Sequence, residues 1–214
     1  ASSIVGFEIS NTKVLATLPL SLHLIGTMLA GLPASLLMKR FGRKLGFIFG
    51  TIIGASGTMI TCISIFYKNF VFFCFGIFCL GILGGFTQLY RFAAVDVASK
   101  EFKSKAISLV MLGGIIAGFI GPAIASNTKN LIRDASFAGS YLTMILLHLL
   151  VVIILLKINL PKPSISERKG ITRNLKTIFL QPKFLVAIFS AMISYAVMAM
   201  IMTATPLAMT AAFA

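Results

Sequence analysis

Residues Val14 to Tyr67 read VLATLPLSLHLIGTMLAGLPASLLMKRFGRKLGFIFGTIIGASGTMITCISIFY. Two runs free of Asp, Glu, Lys and Arg, Val14 to Met38 and Leu45 to Tyr67, flank a turn, Lys39-Arg40-Phe41-Gly42-Arg43-Lys44, that holds four basic residues. Four further uncharged runs follow: Asn69 to Tyr90, Ala106 to Thr128, Ala135 to Leu156 and Phe184 to Ala214, and every run has at least 22 residues. At about 1.5 Å per residue, a helix of that length crosses a hydrocarbon core of about 30 Å. Period-two alternation is absent, which disfavours a membrane β-barrel. The expected fold is an all-α polytopic membrane protein with six spans.

Composition agrees. Of 214 residues, 58% are hydrophobic and 11% charged, and the mean hydropathy is +1.00, too apolar for a soluble domain of this size. A net charge of +14 would point to nucleic acid in a soluble protein, but here the basic residues cluster at the ends of apolar runs and form no basic face. They read as a topology signal, and nucleic acid is not an expected partner. Cys62, Cys74 and Cys79 lie inside apolar runs without ligand spacing and read as small packing residues. No metal site, cofactor motif, catalytic triad or paired carboxylates is found, so an enzyme is not expected.

Connection charges set the orientation. The turn at 39–44 carries four basic residues, the turn at 100–105 three and the segment at 157–183 seven, leaving five of nineteen elsewhere. By the positive-inside rule these three segments are cytoplasmic and residue 1 lies outside. The expected organisation is an N-terminal bundle over 1–156, a basic linker over 157–183, and the first span of a second bundle over 184–214. Within the linker, Ile171, Leu175, Ile178 and Phe179 recur at helical spacing, as in an amphipathic helix on the membrane surface. No leader precedes the first run and the sequence closes inside an apolar run, so both ends read as internal to a longer protein.

The turn Ser35-Leu-Leu-Met-Lys39-Arg40-Phe-Gly42-Arg43-Lys44 resembles the signature loop of the major facilitator superfamily. It matches at Arg40, Gly42, Arg43 and Lys44, and departs at Ser35, where Gly is usual, and at Lys39, where an acid is usual. In the fourth span, Gly113, Ala117, Gly121 and Ala125, with Gly114 and Gly118, make a smooth face that another helix can approach. Pro122 should bend that helix, and the Gly121-Pro122 step is similar to the family's antiport-associated motif. The runs Gln88 to Asp96 and Gln181 to Leu185, with Met202 to Met209, resemble a bacterial branch of the same superfamily. The resemblance implies that the six spans are helices two to seven of an expected twelve, with most of the first helix and the rest of the C-terminal bundle missing.

Polar groups on the spans are the candidates for function. Arg91, nine residues before Lys100, should sit on the order of 13 Å deeper than that residue along a continuous helix, where it must pair, reach a cavity or snorkel. Asp96 is placed to accept Arg40 or Arg43, and the resemblance gives that contact a gating role. His23 and His148, at mid-span, are either proton or substrate groups facing a cavity or neutral rings bonded to a neighbouring carbonyl. Gln88, Tyr90, Tyr141, Tyr195, Thr203 and Thr205 line a cavity or bridge helices, and Pro19, Pro33 and Pro206 are expected at kinks. The implied function is a secondary active transporter in the bacterial inner membrane. It would move a small molecule by alternating access, coupled to H+ and directed outward. The alternative is a non-transporting membrane assembly subunit or receptor on the same bundle.

Overall fold

A computed structural model describes residues 5, 6, 9, 13–132, 135, 137–160 and 180–212. The amphipathic pattern at 171–179 and the charged residues Arg133 and Asp134 lie outside them. Two units follow each other along the chain, Ala1–Pro163 and Ser164–Ala214.

The first unit opens with a 3-10 turn, Lys13–Thr17, and continues as α1 (Leu18–Phe41), α2 (Arg43–Phe66), α3 (Phe70–Thr87), α4 (Tyr90–Val97), α5 (Lys103–Thr128) and α6 (Ala138–Lys157). The second contains α7 (Pro182–Ala212). Among the described residues, six helices are long and apolar enough to cross a membrane, with α3 and α4 together forming the third.

The ends differ from the uncharged runs for physical reasons. Helix α1 continues through Lys39 and Arg40, since basic residues favour the negative end of a helix, and stops at Gly42, whose φ of 96° is open to glycine and strained for other residues. Pro19 stands at the start of α1, where a missing N–H costs nothing. It therefore marks a helix start and not the expected kink. Pro33 and Pro122 lie inside α1 and α5. The third span is interrupted at Gln88–Leu89, so Arg91 belongs to the short helix α4 and not to a continuous one. Helix α4 ends six residues later at Val97, which makes the rise from Arg91 to that end about 9 Å. Asn69 caps α3, its side-chain oxygen accepting from the Val71 and Phe72 amides at 3.1 Å each.

Packing places small residues inside and large ones outside. Helix α1 packs mainly on α3, α3 on α2, and α2 on α6, while α4 rests on α5. The buried face of α2 contains Gly46, Gly50, Thr51, Gly54, Gly57, Thr58 and Thr61, whereas Phe49, Ile52, Met59 and Ile63 are exposed. Lipid is as apolar as leucine, so association here rests on close backbone approach and not on burial of apolar area. The hydroxyls of Thr51, Thr58 and Thr61 each donate to the carbonyl four residues earlier at 2.8 Å, so the buried face leaves none unsatisfied. Helices α1 and α3 are joined by Thr27 Oγ1, which lies 3.0 Å from the His23 carbonyl and 2.9 Å from that of Gly81.

Two packed layers close the ends of the unit. Met38, Phe47, Phe86, Ala93 and Leu155 form one at the end that bears Lys39 to Lys44. Val5, Ile65, Phe73, Ala138 and Tyr141 form the other, where Phe73 and Tyr141 meet edge to face at 6.3 Å.

Candidate functional site

At the basic end, the turn after Gly42 draws together helices from across the unit. Arg43 Nε donates to Asp96 Oδ2, an ion pair joining the start of α2 to the last turn of α4. Lys44 Nζ donates to the Leu156 carbonyl at 2.8 Å, near the end of α6. Arg40 takes no part and lies over the Phe41 ring at 5.3 Å. Ser35 Oγ donates to the Leu32 carbonyl of its own helix at 2.8 Å.

Beneath this clasp, Tyr90 bridges the interruption of the third span. Its ring stacks on Phe47 of α2 with centroids 4.1 Å apart and an interplanar angle of 15°. The short helix α4 is thus held to α2 at both ends, by Tyr90 and by Asp96. Gln88 is exposed in the interruption itself. Arg91 is exposed, with its guanidinium 5.2 Å from the Phe92 ring centre, and has no acidic partner among the described residues.

Beside the layer at the end away from the basic turn, a cavity of about 440 Å³ lies between α1, α3, α5 and α6, within the roughly 300–1,000 Å³ usual for small-molecule sites. His23, Ile77, Gly121, Ser140, Tyr141 and Leu147 are among its walls. Ser140 Oγ donates to the Ala125 carbonyl at 2.9 Å and lies 3.2 Å from Thr128 Oγ1, tying α6 to α5. His148 is not in this wall. It is buried on α6 with Nδ1 2.7 Å from the Met144 carbonyl of its own helix, and not from a carbonyl of the next.

The small-residue face of α5 meets no other helix at its glycines among the described residues: beyond the helix's own backbone, nothing lies within 4 Å of where a Cβ would stand at Gly113, Gly114, Gly118 and Gly121, and Ala117 and Pro122 are exposed. The close approaches occur elsewhere, at Gly57 against Gly76 and at Gly26 and Gly81 between α1 and α3. The four-residue spacing of Gly46, Gly50 and Gly54 is the signal that could have marked α2 as the packing helix. Nothing in the sequence marks Ser140 or the pairing of Lys44 with Leu156. Tyr195 lies within α7 in the second unit.

Six apolar spans, a small-residue interior and a basic end clasped by the Arg43–Asp96 ion pair define a polytopic helical membrane protein. The chain belongs to the Major Facilitator Superfamily, whose family model matches residues 2–214. It is also similar to the riboflavin transporter RfnT of Brucella anthropi, at 38% identity over 210 residues. That match covers 96% of this chain and 52% of the relative, so the chain spans about half of that protein. No solved structure matches it.

Proposed function

We propose that this chain forms the first half of a secondary active transporter that carries a flavin-like small molecule across the bacterial inner membrane. The observation that carries this reading is the 38% identity, over nearly the whole chain, to a riboflavin transporter. The cavity supports it. Its walls are mostly apolar, with His23, Ser140 and Tyr141 as polar points, which suits a flat aromatic ring system bearing a few hydrogen-bonding edges.

In this reading the two halves rock about the substrate, and the cavity of the first unit supplies part of the site. The segments at 39–44, 100–105 and 157–183 face the cytoplasm, where their cations meet anionic lipid. The Arg43–Asp96 pair holds that end together in one state of the cycle and opens in the other. His23, the histidine on the cavity wall, is the candidate for H+ coupling, because imidazole changes charge near neutral pH.

Riboflavin fluorescence inside proteoliposomes holding the full-length protein tests each part. Flux in either direction that exceeds that of empty vesicles supports the substrate, and its collapse with an uncoupler supports proton coupling. Full-length protein that moves no flavin overturns the substrate assignment, and flux indifferent to an uncoupler overturns the coupling. Efflux faster than uptake under an inward proton gradient marks an exporter.

A further inference from the structure

Arg43 and Lys44 are the first two residues of α2, yet they reach different helices. Arg43 pairs with Asp96 in the last turn of α4, while Lys44 Nζ donates to the Leu156 carbonyl, one residue before the end of α6. The last four carbonyls of a helix have no partner within it, and a lysine there also meets the negative end of the helix dipole. Beyond Lys157 the chain turns to extended backbone at Ile158, with φ −79° and ψ 133°. Leu155, the neighbour of the capped residue, is buried in the same layer as Met38, Phe47 and Ala93. The capped end of α6 and the Asp96 end of α4 therefore rest on one packed surface, gripped by two consecutive side chains.

We propose that Lys44 is a positioning residue that ties the start of the segment joining the two halves to the state of the Arg43–Asp96 contact. The inference rests on the transporter reading above. Arg43 and Lys44 share one helical turn above a common packed layer, so a movement that lifts the start of α2 off that layer draws Arg43 from Asp96 and Lys44 Nζ from Leu156 together. Both side chains of the ion pair are part-exposed, which keeps it weak enough to open. The freed Leu156 carbonyl then has no protein donor, and the chain from Ile158 onward loses the anchor that fixes its direction. Opening at one helix end is thereby reported to the connection through which the halves move together.

The test uses full-length protein with its other cysteines replaced and a spin label on Ile158→Cys, an exposed position. Lys44→Met should raise label mobility and lower Vmax for riboflavin about fivefold while KM stays within about twofold, and Lys44→Arg, which keeps a long cationic donor, should restore both. Asp96→Asn should raise mobility at the same label. A label unmoved by Lys44→Met overturns the proposal, as does a Lys44→Arg protein that behaves like Lys44→Met. Mobility that responds in a protein moving no riboflavin leaves the coupling standing and overturns the substrate assignment alone.

Discussion

Gly57 of α2 and Gly76 of α3 face each other so closely that a Cβ on either would overlap the other's backbone: one built on Gly57 stands 2.8 Å from the Gly76 carbonyl oxygen, and one on Gly76 stands 2.7 Å from that of Gly57. Backbone cannot swing aside as a side-chain tip can, so the added methyl must part the two helices. Gly76→Ala is expected to cost about 1–3 kcal/mol. Gly31→Ala on α1, where no atom lies within 4 Å of the new Cβ, should be neutral or gain up to about 1 kcal/mol from helix propensity. Unfolding of both variants in detergent decides it, and equal melting temperatures would remove the argument for close backbone packing.

The Arg43–Asp96 pair should matter far more to transport than to stability. Its part-exposed charges contribute about 0–1 kcal/mol to folding, but in the proposed cycle they touch in one state and part in the other. Asp96→Asn should shift the melting temperature little and cut riboflavin flux several-fold. The exchange Arg43→Asp with Asp96→Arg rebuilds the pair with reversed polarity and should recover part of the flux. A double exchange as inactive as the single variant would show that the pairing itself is not what the cycle uses.

Much of this architecture can be read in the sequence because the bilayer imposes it. Six uncharged runs set six spans, and four basic residues between Lys39 and Lys44 mark the turn between the first two. The interruption at Gln88–Leu89 cannot be read that way, since neither residue is charged, glycine or proline, and an uncharged run looks the same whether its helix is whole or broken. Small-residue spacing shows which face of a helix is smooth but not which helix covers it. The regular stripe of α5 is open to its surroundings, while the less regular set Gly26, Gly57, Gly76 and Gly81 makes the contacts. The partner of Lys44 is a backbone carbonyl, which carries no sequence signal. Of the two histidines, only geometry distinguishes His23 on the cavity wall from His148 bonded within its own helix.

Tyr90 should hold α4 through its stack on Phe47. Tyr90→Phe keeps the stack and should shift stability by no more than about 0.5 kcal/mol. Tyr90→Ala loses it and should cost about 2–4 kcal/mol. Hydrogen exchange supplies the more specific measurement. Amides of α4, Tyr90–Val97, should exchange faster in Tyr90→Ala, with those of α2 changed less, because the interruption lets α4 loosen as a local unit. Uniform loss of protection across α2, α3 and α4 would mean that α4 is no separate element.

The two histidines offer the sharpest division between site and scaffold. His23 lines the cavity beside Gly121, Ser140 and Tyr141, so His23→Leu removes one of a few polar points that a flavin-sized ligand could meet there, with the loss of a hydrogen bond to a bound polar edge worth about 1–3 kcal/mol, or about 5- to 150-fold in flux. His148 is buried but outside the cavity wall, so His148→Leu should alter the amount of folded protein while flux per molecule stays near that of the parent. Flux normalised to transporter in the membrane separates these outcomes. Loss of flux in His148→Leu with normal folding, alongside an active His23→Leu, would move the site away from this cavity and towards the α2 side of α6.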